Sequence, residues 1–361
     1  MNLFEKERNY EQLVFCRDEK SGLKAIICIN DTTLGPALGG TRMYPYQKEE
    51  DAIIDVLRLG RGMTYKASVA GLDLGGGKAV IIGDPTKDKS EALFKAFGEY
   101  VNRLSGKYIT AEDVGTKTAD MAIISTMTKW VVGLPGKSGD PSPFTALGVF
   151  HAMKACIEEV FGTDSFAGKT VAVQGIAGGV GYHLAKLLAE AGAILTGTGG
   201  RDKEAALRAG RELGARILES GVEPDGKPHP ELDQIYDVEC DVFSPNAMGG
   251  IINDLILPRL RCKIVCGAAN NQLWKPEHGN TLHQKGILYG PDYLVNGGGL
   301  INVYHEIQTV YPQGYDKEEA TAHVEKIYER MKLVIELSKR ENIPTYLAAD
   351  RLAEKRINET K

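Results

Sequence analysis

The sequence predicts an α/β protein of two domains, an N-terminal α/β domain followed by a C-terminal domain built on a doubly wound parallel sheet. The chain has 361 residues, which is more than one ordinary hydrophobic core holds. Beyond residue 143, runs typical of strands alternate with runs typical of helices, as in successive βαβ units. A glycine-rich turn also joins one of those strands directly to a helix, as in sheets that bind nucleotides.

The N-terminal domain mixes strand and helix patterns. Short β-rich runs predict strands, and two longer runs with apolar residues at helical spacing predict helices, the second with Ser90 at its N-cap. In chain order we expect a strand at 23–30, a helix at 49–63, a strand at 78–84, a helix at 90–104 and a strand at 107–115.

A hinge between the domains is predicted at 133–143, where glycine and proline occupy six of the eleven positions. We therefore place the first domain at 1–137 and a dinucleotide-binding domain at 138–330. In the second domain we expect helices at 145–162, 182–193 and 203–215 and strands at 169–175, 193–199, 240–245, 263–270 and 286–295. Residues 316–342 then predict one long amphipathic helix, which Pro344 separates from a last helical segment.

The composition excludes several classes of function. With 43 basic and 48 acidic side chains the net charge is −5, so nucleic acid is not an expected partner. The six cysteines do not follow a metal-ligand spacing, and we expect reduced thiols and no metal site. The start of the chain does not resemble a leader peptide, and no apolar run reaches membrane-spanning length. These features predict a cytoplasmic protein that does not associate with membranes.

The glycine turn in TVAVQGIAGGVGY (170–182) lies between a predicted strand and a predicted helix. Glycine lets the backbone approach a pyrophosphate, and the N–H groups at the helix start bind its charge. The spacing is G-x-x-G-x-x-G, one residue longer than the usual dinucleotide fingerprint of a Rossmann-type domain. The predicted cofactor-binding residues are Gly175, Ile176, Ala177, Gly178, Gly179, Val180 and Gly181.

The end of the next strand leaves the choice of coenzyme open. An NAD-binding domain normally has a carboxylate about 20 residues past the turn, where it bonds the ribose hydroxyls. This chain has Gly199 at that position, followed by Arg201 and Asp202. Either Asp202 takes over the ribose contact, or Arg201 pairs with a 2′-phosphate, or the loop is solvated and does not contact a cofactor.

Two lysines and one aspartate in the first domain are candidates for acid–base chemistry. Lys66 and Lys78 lie among apolar and glycine residues, which is more typical of a pocket than of a solvated face. Burial and a neighbouring cation favour the neutral amine, which can act as a base. Asp113 follows a predicted strand, where it would form a proton-relay pair with such a lysine, or serve only as a turn or capping residue.

Several long motifs together resemble the amino-acid dehydrogenases of the leucine, phenylalanine and valine type, relatives of glutamate dehydrogenase. They are DTTLGPALGGTRM, GMTYK, LGGGKAVIIGDP, YITAEDVGT, SGDPSPFTALGVF, GAANNQL and GILYGPDYLVNGGGLINV, and they span nearly the whole chain. The resemblance implies an N-terminal domain for substrate binding and oligomerisation, a C-terminal Rossmann domain for NAD, and C-terminal helices (331–361) that return to the first domain. The implied reaction converts an L-amino acid, NAD⁺ and water to a 2-oxo acid, ammonia and NADH.

The resemblance also implies roles for single residues. Lys66 would bind the substrate carboxylate, Lys78 would be the catalytic base and Asp113 the proton shuttle. The other implied substrate-binding residues are Gly39, Gly40, Met63, Ala111, Asn270, Leu300 and Val303. The implied coenzyme-binding residues are Thr145, Asn271, Arg201 and Asp202, together with the glycine turn.

The substrate expected from the resemblance is a branched-chain amino acid, with an aromatic one, phenylalanine or tryptophan, as the alternative. Leu38, Ala111, Leu300 and Val303 would line the side-chain pocket, and all are aliphatic or small. An apolar pocket discriminates by only about 1–3 kcal/mol per methylene, so a mixed preference is consistent with it. We expect NAD as the main coenzyme with some NADP activity, and a homo-oligomer, most simply an octamer.

Two functions of other kinds were weighed against this one. A dinucleotide-binding regulator without catalysis has no need of a lysine base, so the combination of Lys66, Lys78 and Asp113 argues against it. A hydroxyacid dehydrogenase needs a histidine as its acid–base group, and the seven histidines here do not follow such a motif.

Overall fold

The computed structural model describes residues 10–200, 202–221 and 233–360. Within them the chain forms two compact units. The first contains the described residues through Pro141 together with Asn302–Lys317 and the segment from Leu352 onward. The second contains Ser142–Ile301 and Glu318–Arg351. Because local sequence patterns report turns and helices rather than packing partners, the limits expected at 137 and 330 did not include this exchange of short segments.

The first unit contains a five-stranded sheet. Its strands are β1 (Gln12–Asp18), β2 (Leu23–Asp31), β3 (Ala37–Tyr44), β4 (Gly75–Ile82) and β5 (Tyr108–Glu112), in the order β1-β2-β4-β3-β5. Strands β3, β4 and β5 are parallel to one another, whereas β1 pairs with β2 and β2 with β4 in antiparallel fashion. Three helices accompany the sheet: α1 (Glu49–Val69), α2 (Glu91–Arg103) and α3 (Thr118–Ser125). Apolar side chains of β2, β4 and α2, among them Ile27, Phe94 and Phe97, form its largest core cluster.

Most elements predicted for this unit are confirmed, including the N-cap at Ser90, whose hydroxyl accepts from the Leu93 N–H at 3.1 Å. Strands β1 and β3 were not predicted, and β4 begins at Gly75, three residues before the predicted start. Glycine is a weak strand former, so the glycines of β3 and β4 conceal both strands from a propensity argument.

The second unit contains a six-stranded, fully parallel sheet. Its strands are β6 (Thr170–Gln174), β7 (Ile194–Thr198), β8 (Arg216–Ile217), β9 (Val242–Pro245), β10 (Ile264–Val265) and β11 (Leu288–Tyr289), in the order β11-β10-β9-β6-β7-β8. This order runs outward in both directions from β6 and β9 and confirms the predicted doubly wound, Rossmann-type sheet. Tyr236, Phe243 and Ile252 belong to a core cluster on one of its faces.

Helices follow the hinge in chain order to the C-terminus. They are α4 (Ser142–Phe161), α5 (Gly179–Glu190), α6 (Lys203–Leu213), α7 (Pro276–Gln284), α8 (Asp292–Val295), α9 (Gly298–Tyr304), α10 (Lys317–Glu325), α11 (Ile327–Glu341) and α12 (Thr345–Thr360). The single long helix expected at 316–342 was wrong, because the chain is interrupted at Lys326. There the N–H of Lys326 bonds to the carbonyl of His323, the tighter three-residue spacing of a 3₁₀ turn. None of the helices in the described ranges combines the length and the apolar character that crossing a membrane requires.

Candidate active site

Lys78 and Asp113 form a buried ion pair in the first unit. Lys78 is the fourth residue of β4 and is 5% exposed, and Asp113 directly follows β5. The Lys78 Nζ lies 3.0 Å from the Asp113 Oδ1. Strand β3 separates β4 from β5, so the two side chains meet across the middle strand of a parallel trio. The structure thus brings together the lysine and the carboxylate that the sequence proposed as a proton-relay pair.

Two glycines in β3 permit this close arrangement. A Cβ atom at Gly39 would overlap the carbonyl oxygen of Gly77, the residue before Lys78. A Cβ atom at Gly40 would overlap the Glu112 carbonyl oxygen and come within 2.9 Å of the Asp113 Cβ. Each glycine therefore faces the backbone that carries one member of the ion pair, and a side chain at either position would displace that backbone.

Asp113 is held on its second oxygen by an arginine that the sequence analysis did not single out. The Arg42 Nε donates to Asp113 Oδ2 at 2.9 Å, and the Asp113 N–H donates to the Thr116 hydroxyl at 2.9 Å. Burial raises the pKa of Asp113, but the charges of Lys78 and Arg42 lower it further, so that it lies below its ordinary value. Asp113 is therefore a carboxylate when the site is at rest.

The remaining site residues predicted for this unit lie on α1, on β3 and β5 and at the end of α9. Lys66 is in the last turn of α1, one turn after Met63, and both are half-buried. Ala111 is buried and pairs with Gly40 between β5 and β3. The expected pocket residues Leu38 and Val303 are also buried in this unit.

The glycine turn of the second unit has the geometry of a phosphate cradle. Gly175 follows β6 with a φ of 77°, a left-handed conformation that glycine adopts without strain. Helix α5 begins at Gly179, and within the described ranges no side chain caps its first turn. A Cβ atom at Gly181 would overlap the carbonyl oxygen of Gly175, so only glycine allows the helix to pack this close to the turn. Ala177 and Val180 complete the turn in sequence.

These features fit the pyrophosphate of a dinucleotide. Uncapped N–H groups at the start of α5 are available to an anion, and β6 is next to β9, where the strand order reverses. Ile176 contributes to packing instead, because its side chain is fully buried and its N–H bonds to the carbonyl of Thr198 at 2.9 Å.

The loop after β7 explains why glycine stands at position 199. A Cβ atom at Gly199 would overlap the Cβ of Ala206, so an acidic side chain has no room there in this loop conformation. Asp202 is the N-cap of α6, where its carboxylate accepts from the Ala205 N–H at 2.8 Å. Arg201 lies outside the described residues. The carboxylate nearest the expected ribose position therefore already caps a helix.

Asn270 and Asn271 are exposed in the loop after β10. Asn271 has a φ of 52°, a backbone conformation that asparagine tolerates better than most residues. The Asn270 Oδ1 accepts from the Asn296 Nδ2 at 2.8 Å, and the same amide donates to the Ala268 carbonyl at 3.0 Å. Asn296 is buried and was missed, although it belongs to the quoted segment YLVNGGGL.

Thr145 and Leu300 are the other predicted site residues of the second unit. Thr145 lies in the first turn of α4 and is half-buried, and Leu300 is buried in α9. A Cβ atom at Gly298 would overlap the carbonyl oxygen of Phe144, so the start of α9 packs directly against the residue before Thr145.

The fold and these two sets of residues define a class, the two-domain α/β enzymes that bind a dinucleotide in one domain and hold a buried lysine–carboxylate pair in the other. Comparison with known families agrees. Residues 10–130 match the family described as Glu/Leu/Phe/Val dehydrogenase, dimerisation domain. Residues 136–361 match the family Glutamate/Leucine/Phenylalanine/Valine dehydrogenase. The chain belongs to this amino-acid dehydrogenase family.

Individual relatives cover nearly the whole chain. A leucine dehydrogenase of Geobacillus stearothermophilus is 54% identical over 97% of this chain and 91% of its own length. A phenylalanine dehydrogenase of Lysinibacillus sphaericus is 47% identical over 99% of this chain and 91% of its own length. The crystal structure of L-tryptophan dehydrogenase from Nostoc punctiforme has a TM-score of 0.84 and 43% identity, with 99% of each chain covered.

Proposed function

We propose that this chain catalyses the reversible oxidative deamination of branched-chain L-amino acids, leucine, valine and isoleucine, to 2-oxo acids and ammonia. The observation that carries the proposal is the buried Lys78–Asp113 pair with 3.0 Å between Nζ and Oδ1. The 54% identity to a leucine dehydrogenase supports the choice of substrate. The aliphatic or small side chains of Leu38, Ala111 and Val303 support it as well.

The residues of the first unit divide the work on the amino acid. A nicotinamide coenzyme, when bound at the glycine turn, accepts the hydride from the substrate α-carbon. Lys66 holds the substrate carboxylate and orients the α-carbon. Water must then replace the nitrogen at that carbon, which requires one group that removes a proton from water and another that delivers a proton to the leaving amine.

Lys78 and Asp113 are suited to these two proton transfers. The direct hydrogen bond between them lets a proton pass from one group to the other without a water molecule in between. Lys78 takes a proton from the attacking water, and Asp113 passes a proton to the departing amine. Overall, amino acid, oxidised coenzyme and water give 2-oxo acid, ammonium, reduced coenzyme and, for the ammonium form of the substrate, one released proton.

One spectrophotometric panel tests the proposed function. Formation of reduced coenzyme is measured with leucine, isoleucine, valine, phenylalanine, tryptophan and glutamate, each with NAD and with NADP. We expect the highest kcat/KM for a branched-chain substrate. A higher value for phenylalanine or tryptophan would replace the substrate assignment, and a protein inactive toward all six would contradict the enzyme assignment.

The main coenzyme of the proposed reaction is NAD, with measurable NADP activity. The absence of a carboxylate at Gly199 removes the usual repulsion of a 2′-phosphate, and Asp202 is the acidic group nearest that position in sequence. Asp202→Ala is expected to lower kcat/KM for NAD. Asp202→Asn is the matched control, because asparagine caps a helix as well as aspartate but has no charge. Equal NAD use by all three proteins would exclude a ribose contact from Asp202.

A further inference from the structure

Arg42 links the acid–base pair to helix α1. It lies on β3 two residues after Gly40, and therefore on the same face of the strand. Its Nε donates to Asp113 Oδ2, and its Nη1 donates to Asp55 Oδ2, each at 2.9 Å. Asp55 in turn accepts from the Tyr46 hydroxyl at 2.6 Å. Arg42 and Asp55 are mostly buried, with side chains 22% and 15% exposed.

The guanidinium group is the side chain that can make both contacts at once. Its donors point in fixed directions within one plane, so fixing one end on Asp55 also fixes the direction of the Nε–H. Lysine has a single ammonium on a flexible stem and cannot hold two carboxylates at a defined angle. Asp55 therefore anchors Arg42, and Arg42 fixes one oxygen of Asp113.

We propose that Arg42 is a positioning residue for the reaction: it holds the Asp113 carboxylate so that Oδ1 faces Lys78, and it keeps that carboxylate ionised. The inference rests on the proposed function, because it assigns Arg42 a part in the proton transfers of Lys78 and Asp113. Arg42 acts through Asp113, and the neighbouring Asp55 and Tyr46 act through Arg42.

The charges around Asp113 determine the sign of the expected pH effect. Lys78 on β4 and Arg42 on β3 are the charged groups that face it, and both lower its pKa. Removing the guanidinium raises the pKa of Asp113, so its carboxylate is protonated at a higher pH than in the parent. The acid limb of the kcat/KM profile must then move toward higher pH.

The experiment compares full pH profiles of Arg42→Gln, Arg42→Lys and the parent enzyme with leucine. We expect Arg42→Gln to lower kcat about tenfold to a hundredfold, the usual effect of a misplaced catalytic group. Its acid limb should move up by about one pH unit or more. KM for leucine should stay within about twofold, because the substrate carboxylate is bound by Lys66.

Arg42→Lys separates charge from positioning. The retained cation should return the acid limb close to its parental place, whereas kcat should remain reduced because one ammonium cannot contact both Asp113 and Asp55. Full recovery of kcat in Arg42→Lys would show that charge alone is sufficient and would overturn the positioning role. A parental pH profile in Arg42→Gln would overturn the proposal altogether.

Two further variants keep the test decisive if Arg42→Gln does not fold. Asp55→Ala leaves every direct contact of Asp113 in place but removes the anchor of Arg42, and we expect the same loss of kcat in weaker form. Arg58→Gln is the matched control, since Arg58 is mostly exposed and contacts Asp55 Oδ1 at 3.2 Å; its profile should equal that of the parent. An unchanged kcat in Asp55→Ala would contradict the proposal.

Lys78→Ala distinguishes failure of this inference from failure of the proposed function. If Lys78→Ala is inactive while the Arg42→Gln profile is parental, only the positioning role fails. If Lys78→Ala is active, the acid–base assignment itself fails.

Discussion

The ammonium group of Lys66 has a part of the chemistry that can be tested separately from the proton transfers. A carboxylate anchor acts equally on the bound substrate and on the transition state, so its loss weakens binding more than turnover. A charge-assisted hydrogen bond contributes about 1.5–3 kcal/mol, which corresponds to roughly a tenfold to a hundredfold change. We therefore expect Lys66→Ala to raise KM for leucine by that factor while kcat changes much less. An unchanged KM in steady-state kinetics would place the anchor elsewhere.

The two residues that the sequence analysis missed share a cause. Arg42 and Asn296 were overlooked because each acts on a distant part of the chain, Arg42 on a carboxylate 71 positions away and Asn296 on an amide 26 positions away. Lys78 and Asp113 could be proposed from their own neighbours, since glycine and apolar residues around a charge indicate a pocket. A positioning residue has no comparable local signature.

At the scale of secondary structure, the close packing of α5 against the end of β6 is the feature that the coenzyme site requires. In Gly181→Ala the new methyl group overlaps the Gly175 carbonyl oxygen, so the helix must shift away from the turn. Overpacking of this kind costs about 1–3 kcal/mol. We expect a higher Kd for NAD in calorimetric titration and a lower Tm.

Gly62→Ala is the matched control for that substitution. Gly62 lies exposed on α1, and a Cβ atom there would have nothing within 4 Å. Its Kd for NAD should equal that of the parent. Parental coenzyme affinity in Gly181→Ala would show that the packing of this turn is not needed for binding.

The elements that the sequence predicted and those it did not differ in a physical respect. Helices such as α2 and α5 and strands such as β2 and β6 were predictable because their apolar residues repeat with the period of the element. Strand β3 was not, because its central glycines are required by neighbouring backbones rather than by strand propensity. The interruption of the C-terminal helix at Lys326 is likewise a matter of one hydrogen bond, and nothing in the local sequence marks it.

For the whole molecule, we propose that the chain forms a homo-oligomer, with an octamer as the expected size. Its first unit matches a dimerisation domain. The edge strand β1 presents Phe15 with 58% of its surface exposed, and an unpaired apolar edge is usually covered in the assembled protein. Light scattering at micromolar concentration should give the mass of eight chains. A monomer mass under these conditions would refute the oligomer, and another multiple would correct only its size.

The central claim is that Lys78 carries the acid–base chemistry while the coenzyme binds in the other unit, and Lys78→Ala tests it most directly. Both proteins are assayed for leucine-dependent NADH formation, and their Kd for NAD is measured in the absence of amino acid. Loss of a general base lowers turnover by about a hundredfold or more, whereas the glycine turn is unaffected. We predict this loss together with a parental Kd for NAD. Activity within about tenfold of the parent enzyme, at a parental Kd for NAD, would contradict the account.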